Sequence, residues 1–140
     1  MTDSTAISTA QRKILLRAAA EGYFRGLARN DFALIPFDDH VVFRASLTPG
    51  GVGVPIVGKE ALRSIWWPPL SAALGEVKVL EHYFNESMTA VMTEAEVHTV
   101  HPKAIILVAN RFAINDAGMI VNQQNHYDPR DVTNPGWQNA

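Results

Sequence analysis

From Thr9 to Arg29 the apolar positions recur at Leu16, Ala20, Tyr23 and Leu27, with Leu15, Ala19 and Gly22 alongside, which is the spacing of one helical face. Ser8 or Thr9 offers an N-cap, so the pattern predicts an amphipathic helix at the head of the chain. "NDFALIPFDD" reads as a turn and a second short helix broken at Pro36. "HVVFRASL" then alternates as a strand does, until the Gly and Pro residues of "TPGGVGVP" interrupt it. "VGKEALRSIWWPPLSAAL" supports a further helix, with Leu62, Ile65 and Trp66 on one face and a break forced by Pro68-Pro69. Four β-runs follow, "EVKVLEHYF", "MTAVMTEAEVHTV", "KAIILVANRFAI" and "GMIVNQQNHYD", the middle pair joined at "HPK" and the last pair at "NDAG". Helices followed by strands predict an α+β fold, with about three helices from the N-terminal half laid over one face of a cone-shaped, curved antiparallel sheet. No repeat or linker divides the chain, so residues 1–140 are expected to form one domain, with a loosely held stretch at 1–8 and an irregular tail at 129–140.

Composition narrows the setting. A chain of 140 residues can bury a sizeable core without disulfides or metals. It has no cysteine, which removes thiol chemistry and thiolate metal sites and suits a reducing compartment. Asp3 stands where a signal peptide would carry basic residues, and the longest apolar run, Ala104 to Ala109, is far short of the ~20 residues of a membrane span. A cytoplasmic protein without a membrane partner is expected. The net charge is −2 and the twelve Lys and Arg are scattered, which argues against a nucleic-acid partner.

The element order, with "YFRGLARND", "FDDHVVFR", "VGKEALRSIW" and "NDAGMIVNQQNHYDP", resembles the nuclear transport factor two-like superfamily, most of all its SnoaL-like branch. The likeness runs from about Tyr23 to Asp128. It implies a cone of bent sheet and helices around a deep, mostly apolar pocket, often in homodimers. Members include ketosteroid isomerase, polyketide cyclases, limonene epoxide hydrolase and pure binding domains, so fold alone does not fix function.

By comparison with ketosteroid isomerase, Tyr23 holds the place of the oxyanion-stabilising tyrosine, Arg44 that of the general-base aspartate, and Asn110 that of the protonated aspartate. Both acids are missing. An arginine cannot serve as the base, although it can clamp a carboxylate or pair with Asp38 or Asp39 at the rim. The family's recurrent carboxylate falls at Asn125, an amide here.

Strand alternation divides the polar run Asn122 to Asp128. With Asn125 inward, Val121, Gln123 and Tyr127 share its face, and Asn122, Gln124, His126 and Asp128 look toward solvent or a second subunit. A one-residue bulge would exchange the sets.

Proton transfer would then fall to Glu94, Glu96 and His98, which share one strand face. Either that face or the one carrying Val91, Thr93, Ala95 and Val97 lines the pocket. Trp66 and Phe112 are expected to touch a flat ligand, Trp67 to cover the mouth or dimer seam, and Trp137 to act as a lid or dock on the surface. His98 and His101 lack a third ligand, so no metal is expected.

These features predict a cofactor-free homodimer that isomerises, cyclises or dehydrates a small apolar metabolite bearing a carbonyl or carboxylate. The alternatives are a non-catalytic binding or assembly domain, and an epoxide-hydrolase-like hydrolase.

Overall fold

The structure, a computed structural model, describes residues 7–133. Trp137 and the rest of the tail beyond Thr133 lie outside the described residues, as does most of the 1–8 stretch.

Helix α1 (Thr9–Ala28) begins at Ser8, whose hydroxyl accepts the Gln11 N–H while the Gln11 side chain accepts the Ser8 N–H. Its buried face carries Leu16, Ala19, Ala20, Tyr23, Phe24 and Leu27. Two glycines on that face let the helix press onto the following segment. A Cβ at Gly26 would stand 2.4 Å from Ile35 Cγ1, and one at Gly22 3.1 Å from Pro36 Cδ. The short helix expected after it is a single 3-10 turn, Phe32–Leu34, capped by the Asp31 carboxylate.

Strands β1 (Phe37–Arg44) and β2 (Ile56–Val57) are followed by an unbroken helical stretch made of α2 (Lys59–Ala61), a π-helical segment (Leu62–Trp66) and α3 (Trp67–Ala73). Pro68 and Pro69 do not break it. The Trp67 N–H reaches back to the Leu62 carbonyl, widening the turn, and the prolines then occupy the opening positions of α3, where a missing N–H costs little.

The four C-terminal strands are β3 (Leu74–Phe84), β4 (Ala90–Val100), β5 (Lys103–Ile114) and β6 (Ile120–His126). All strands join one sheet in the order β2-β1-β6-β5-β4-β3. The pairing is antiparallel except that β1 runs parallel to β6. The sheet is therefore mixed, where the β-runs alone predicted an antiparallel one. The two strands are joined by most of the chain, so the hairpin geometry that enforces antiparallel pairing does not apply to them. Helix α4 (Arg130–Thr133) gives regular structure to the start of the segment read as an irregular tail.

The core lies between α1, the helical stretch and the concave face of the sheet, and is rich in aromatics: Tyr23, Phe24, Phe37, Phe43, Trp66 and Phe112 are all buried.

Candidate functional site

Burial along β4 settles strand parity. Val91, Thr93, Ala95, Val97 and Thr99 are buried, whereas Glu94, Glu96 and His98 lie on the outer face. Thr93 pairs with Asn110, which pairs with Asn125, so three strands send polar side chains inward in one row.

Toward the open end of the cone this concave surface leaves a cavity of about 430 Å³, within the usual range for small-molecule sites. Val97, Ile106 and Val108 form its sheet wall and Trp66 and Leu70 its helical wall. Its rim is built from Leu47 to Pro49, from His101 and Pro102, and from Val132 of α4. Tyr127 lies at this rim, where its hydroxyl accepts the Leu47 N–H at 3.3 Å and so ties the 47–49 loop to the end of β6.

The buried end is polar. Tyr23, Asn110 and Asn125 all line the cavity. Gln123, fully buried behind them, donates from Nε2 to Asn125 Oδ1 at 2.8 Å, and Asn125 Nδ2 donates to the Tyr23 hydroxyl at 3.5 Å. The Tyr23 ring is fixed on several sides by Phe24 (4.9 Å, edge-on), Phe112 (5.2 Å) and Trp66 (6.1 Å, stacked). Burial pushes the Tyr23 phenol well above its ordinary range, and the Asn125 and Gln123 side chains offset only part of that shift. The phenol therefore stays protonated and can donate to a ligand across the physiological range. No carboxylate, lysine or arginine is among the described residues that line the cavity.

The remaining sequence candidates fall elsewhere. Arg44 sits on the outer face of β1, because Val41, Phe43 and Ala45 take the inward positions, and its guanidinium donates to the Val52 carbonyl at 2.8 Å and, among the described residues, not to Asp38 or Asp39. Glu94 accepts from the Tyr83 hydroxyl, and Glu96 pairs with His98 at 3.2 Å, all outside the cone. Phe112 is wholly buried behind Tyr23 and supports it without lining the cavity. Trp67 packs on Phe32 at 5.5 Å and not at the mouth. On β6, Gln123 and Asn125 face inward, and the exposed His126 and Asp128 outward. A register shift between Ala113 and Ile114 makes Ile120, not Val121, the buried residue at the strand's start.

His101 was not singled out as a pocket residue, yet it lines the rim. Once Thr99 is known to face inward, alternation continued into the turn points to it. His82 was also missed: its ring bridges the buried Thr93 hydroxyl (2.8 Å) and Glu21 of α1 (3.3 Å), fastening helix to sheet away from the cavity.

No family model matches the sequence, and no curated protein matches it. Solved structures do. RV0760c from Mycobacterium tuberculosis, in complex with estradiol-17β-hemisuccinate, superposes with a TM-score of 0.71 at 20% identity, over 84% of this chain and 96% of that one. A Delta 5-3-ketosteroid isomerase from Mycobacterium sp. gives 0.70 at 20% identity, over 84% and 95%. A putative polyketide cyclase from Sinorhizobium meliloti gives 0.64 at 20% identity, over 81% and 98%. The chain has the nuclear transport factor two-like fold. In this chain the concave sheet face and the helical wall define the cavity, with Asn110 and Asn125 at its buried end. Among the described residues no helix is long and apolar enough to cross a membrane.

Proposed function

We propose that the protein is a SnoaL-like binding domain for a small, largely apolar metabolite, which enters the cone polar end first and is held there by Tyr23, Asn110 and Asn125. One observation carries this reading: the cavity combines apolar walls with neutral hydrogen-bonding groups at its buried end, and no carboxylate, lysine or arginine is among the described residues of its lining. Such a site favours a neutral polar group, because an unpaired charge there would be desolvated without compensation. The estradiol derivative bound by RV0760c supports a flat, polycyclic ligand of that general kind.

A catalytic reading, cofactor-free isomerisation, cyclisation or dehydration, rests on His101, the one imidazole among the described residues of the lining. Epoxide hydrolysis by a carboxylate-activated water has no carboxylate to work with among the described residues of this lining.

A second copy of the chain on the outer sheet face is part of the proposal. Ile105, Leu107, Val100 and Tyr83 are exposed there, a larger apolar group than a solvated sheet face needs.

Fluorescence titration with planar ketones, alcohols and carboxylates, with each mixture followed for turnover by mass spectrometry, tests the reading. Saturable binding of neutral ligands without turnover supports it. Turnover lost in His101→Gln moves the catalytic reading ahead, and no binding at all removes both.

A further inference from the structure

Along the sequence the twelve Lys and Arg look scattered, but α1 and its C-cap Arg29 gather four of them into a line. Lys13, Arg17, Glu21, Arg25 and Arg29 stand four residues apart, so on a helix they form one row about 24 Å long with a step of about 6 Å. All five are exposed. The segment from Thr9 to Arg29 holds five of the chain's cations and one carboxylate, while the remainder carries seven Lys and Arg against thirteen Asp and Glu. A basic row thus runs across an otherwise acidic chain. Like charges at this spacing repel, and among the described residues none of the four cations has a carboxylate within ion-pair distance. The carbonyl end of the helix favours Arg25 and Arg29, whereas Lys13 stands near the amide end, which favours acids. Lys13 and Arg17 are instead set side by side over the Phe84 ring, 5.1 and 5.3 Å from its centroid. The one acid of the row, Glu21, is engaged by His82 at 3.3 Å. Ile14, 66% exposed, lies beside Lys13 and Arg17.

We propose that this row docks an acidic helix of a partner protein, one whose carboxylates flank a basic or neutral position. Carboxylates four residues apart on a helix repeat with the same step of about 6 Å, so two helices lying side by side can pair each cation with one acid. Glu21 decides between partners. A uniform polyanion, whether a nucleic-acid backbone or an anionic lipid surface, would press negative charge onto Glu21 and onto the acidic remainder of the chain. A helix can set a lysine or a neutral residue opposite Glu21 and carboxylates on either side of it. A second copy of the chain offers no such helix: among the described residues the other helical segments carry one acid each at most, Glu60 in α2 and Asp131 in α4. Ile14 supplies the apolar contact that a packed helix needs beside its ion pairs. The opposite face of α1 brings Tyr23 and Leu27 to the cavity, so the docked partner would lie one helix away from the bound ligand.

The test titrates the intact protein with four probes and follows its backbone amides by NMR. The first is an alanine-rich helical peptide carrying Glu, Glu, Lys, Glu and Glu at successive fourth positions, and the second is its isomer with the Lys moved to one end. Vesicles of phosphatidylglycerol and phosphatidylcholine in equal parts and an oligothymidylate are the other two. The patterned peptide should shift the amides of α1 around Lys13 to Arg29 and bind about fivefold tighter than its isomer, with most of the affinity lost by ~0.15 M salt as surface charges are screened. In Arg17→Glu with Arg25→Glu that binding should disappear while ligand binding in the cavity is kept. Equal binding of the two isomers, or tighter binding of the vesicles or the oligothymidylate, overturns the inference and makes the row a general anion surface. No shift in α1 with any probe overturns it as well. The isomer comparison is made on the unaltered protein, so it decides the matter even if the double substitution does not fold.

Discussion

The indole of Trp66 lies over the phenol of Tyr23, ring centroids 6.1 Å apart and planes 26° from parallel, so the phenol at the buried end of the cavity and the indole of its helical wall are stacked together. Trp66 is on the cavity surface, and Trp67, the next residue, packs against Phe32 instead. Ligand binding should therefore change the fluorescence of Trp66 directly, and that of Trp67 only through its ring contact with Trp66, 5.7 Å between centroids. We expect Trp66→Phe to lose most of the ligand-induced signal and Trp67→Phe to keep it. An equal loss in both would place the ligand outside this cavity.

Removing the Tyr23 hydroxyl separates its two roles. Tyr23→Phe keeps the ring and its packing but deprives Asn125 Nδ2 of an acceptor, a cost of about 1 kcal/mol in urea unfolding. A hydroxyl ligand should bind about tenfold more weakly, since one neutral hydrogen bond is lost. Affinity for a purely apolar ligand should be unchanged.

The same phenol gives stability a dependence on alkaline pH. Burial raises its pKa in the folded state above the ordinary 10.0 that it regains on unfolding. Below that value the phenol is protonated in both states and contributes no slope. Above it the unfolded chain loses the proton and the folded one does not, so stability falls as pH rises. Chemical unfolding measured between pH 8 and 11 should show that decline in the unaltered protein and a shallower one in Tyr23→Phe. Identical slopes would mean that Tyr23 ionises as an exposed tyrosine does.

Much of this was legible in the sequence, for physical reasons that differ from place to place. The stripe through Leu16, Ala20, Tyr23 and Leu27 is a period that only one helical face satisfies, and α1 buries all four. The inward run of Gln123 and Asn125 followed from alternation anchored at one position. The "TEAEVHTV" strand offered no such anchor, because Glu94, Glu96 and His98 alternate as regularly as Val91, Ala95 and Val97, and only the register with β5 and the packing under α1 decide between them. The Pro68-Pro69 break was misjudged because a local rule on proline takes no account of a preceding π turn that repositions it. The parallel β1–β6 pair is a tertiary choice with no local signal.

The outer-face acids and histidine should matter for association and not for the ligand. Glu94→Gln, Glu96→Gln and His98→Gln are expected to leave ligand affinity unchanged within about twofold, as groups outside a cavity do. Leu107, 61% exposed at the middle of that face, is the position to test association. Leu107→Glu should shift the protein from dimer to monomer in sedimentation velocity while α1 and the cavity stay intact. A protein that is already monomeric before substitution would remove the second copy from the proposal.

Asp128 ties the end of β6 to α4, and through α4 to the rim of the cavity. Its Oδ1 accepts the Arg130 N–H at 2.9 Å, and its Oδ2 accepts from the Arg130 guanidinium at 2.7 Å. Those bonds hold its carboxyl down at about 2, below the usual 3.8. A carboxyl lowered by folding stabilises while it is ionised, so the cap is fully made above its unfolded value and is lost as pH falls toward its folded one. Val132, two residues beyond Arg130, is the α4 side chain that lines the cavity. Asp128→Ala should therefore loosen α4 and speed ligand release with little change in overall stability, because the pair is on the surface. Stopped-flow dissociation of a bound fluorescent ligand reads the effect: a faster off-rate in Asp128→Ala, matched by the unaltered protein only in acid, is the expected result. Equal off-rates at neutral pH would mean that Val132 forms wall but not gate.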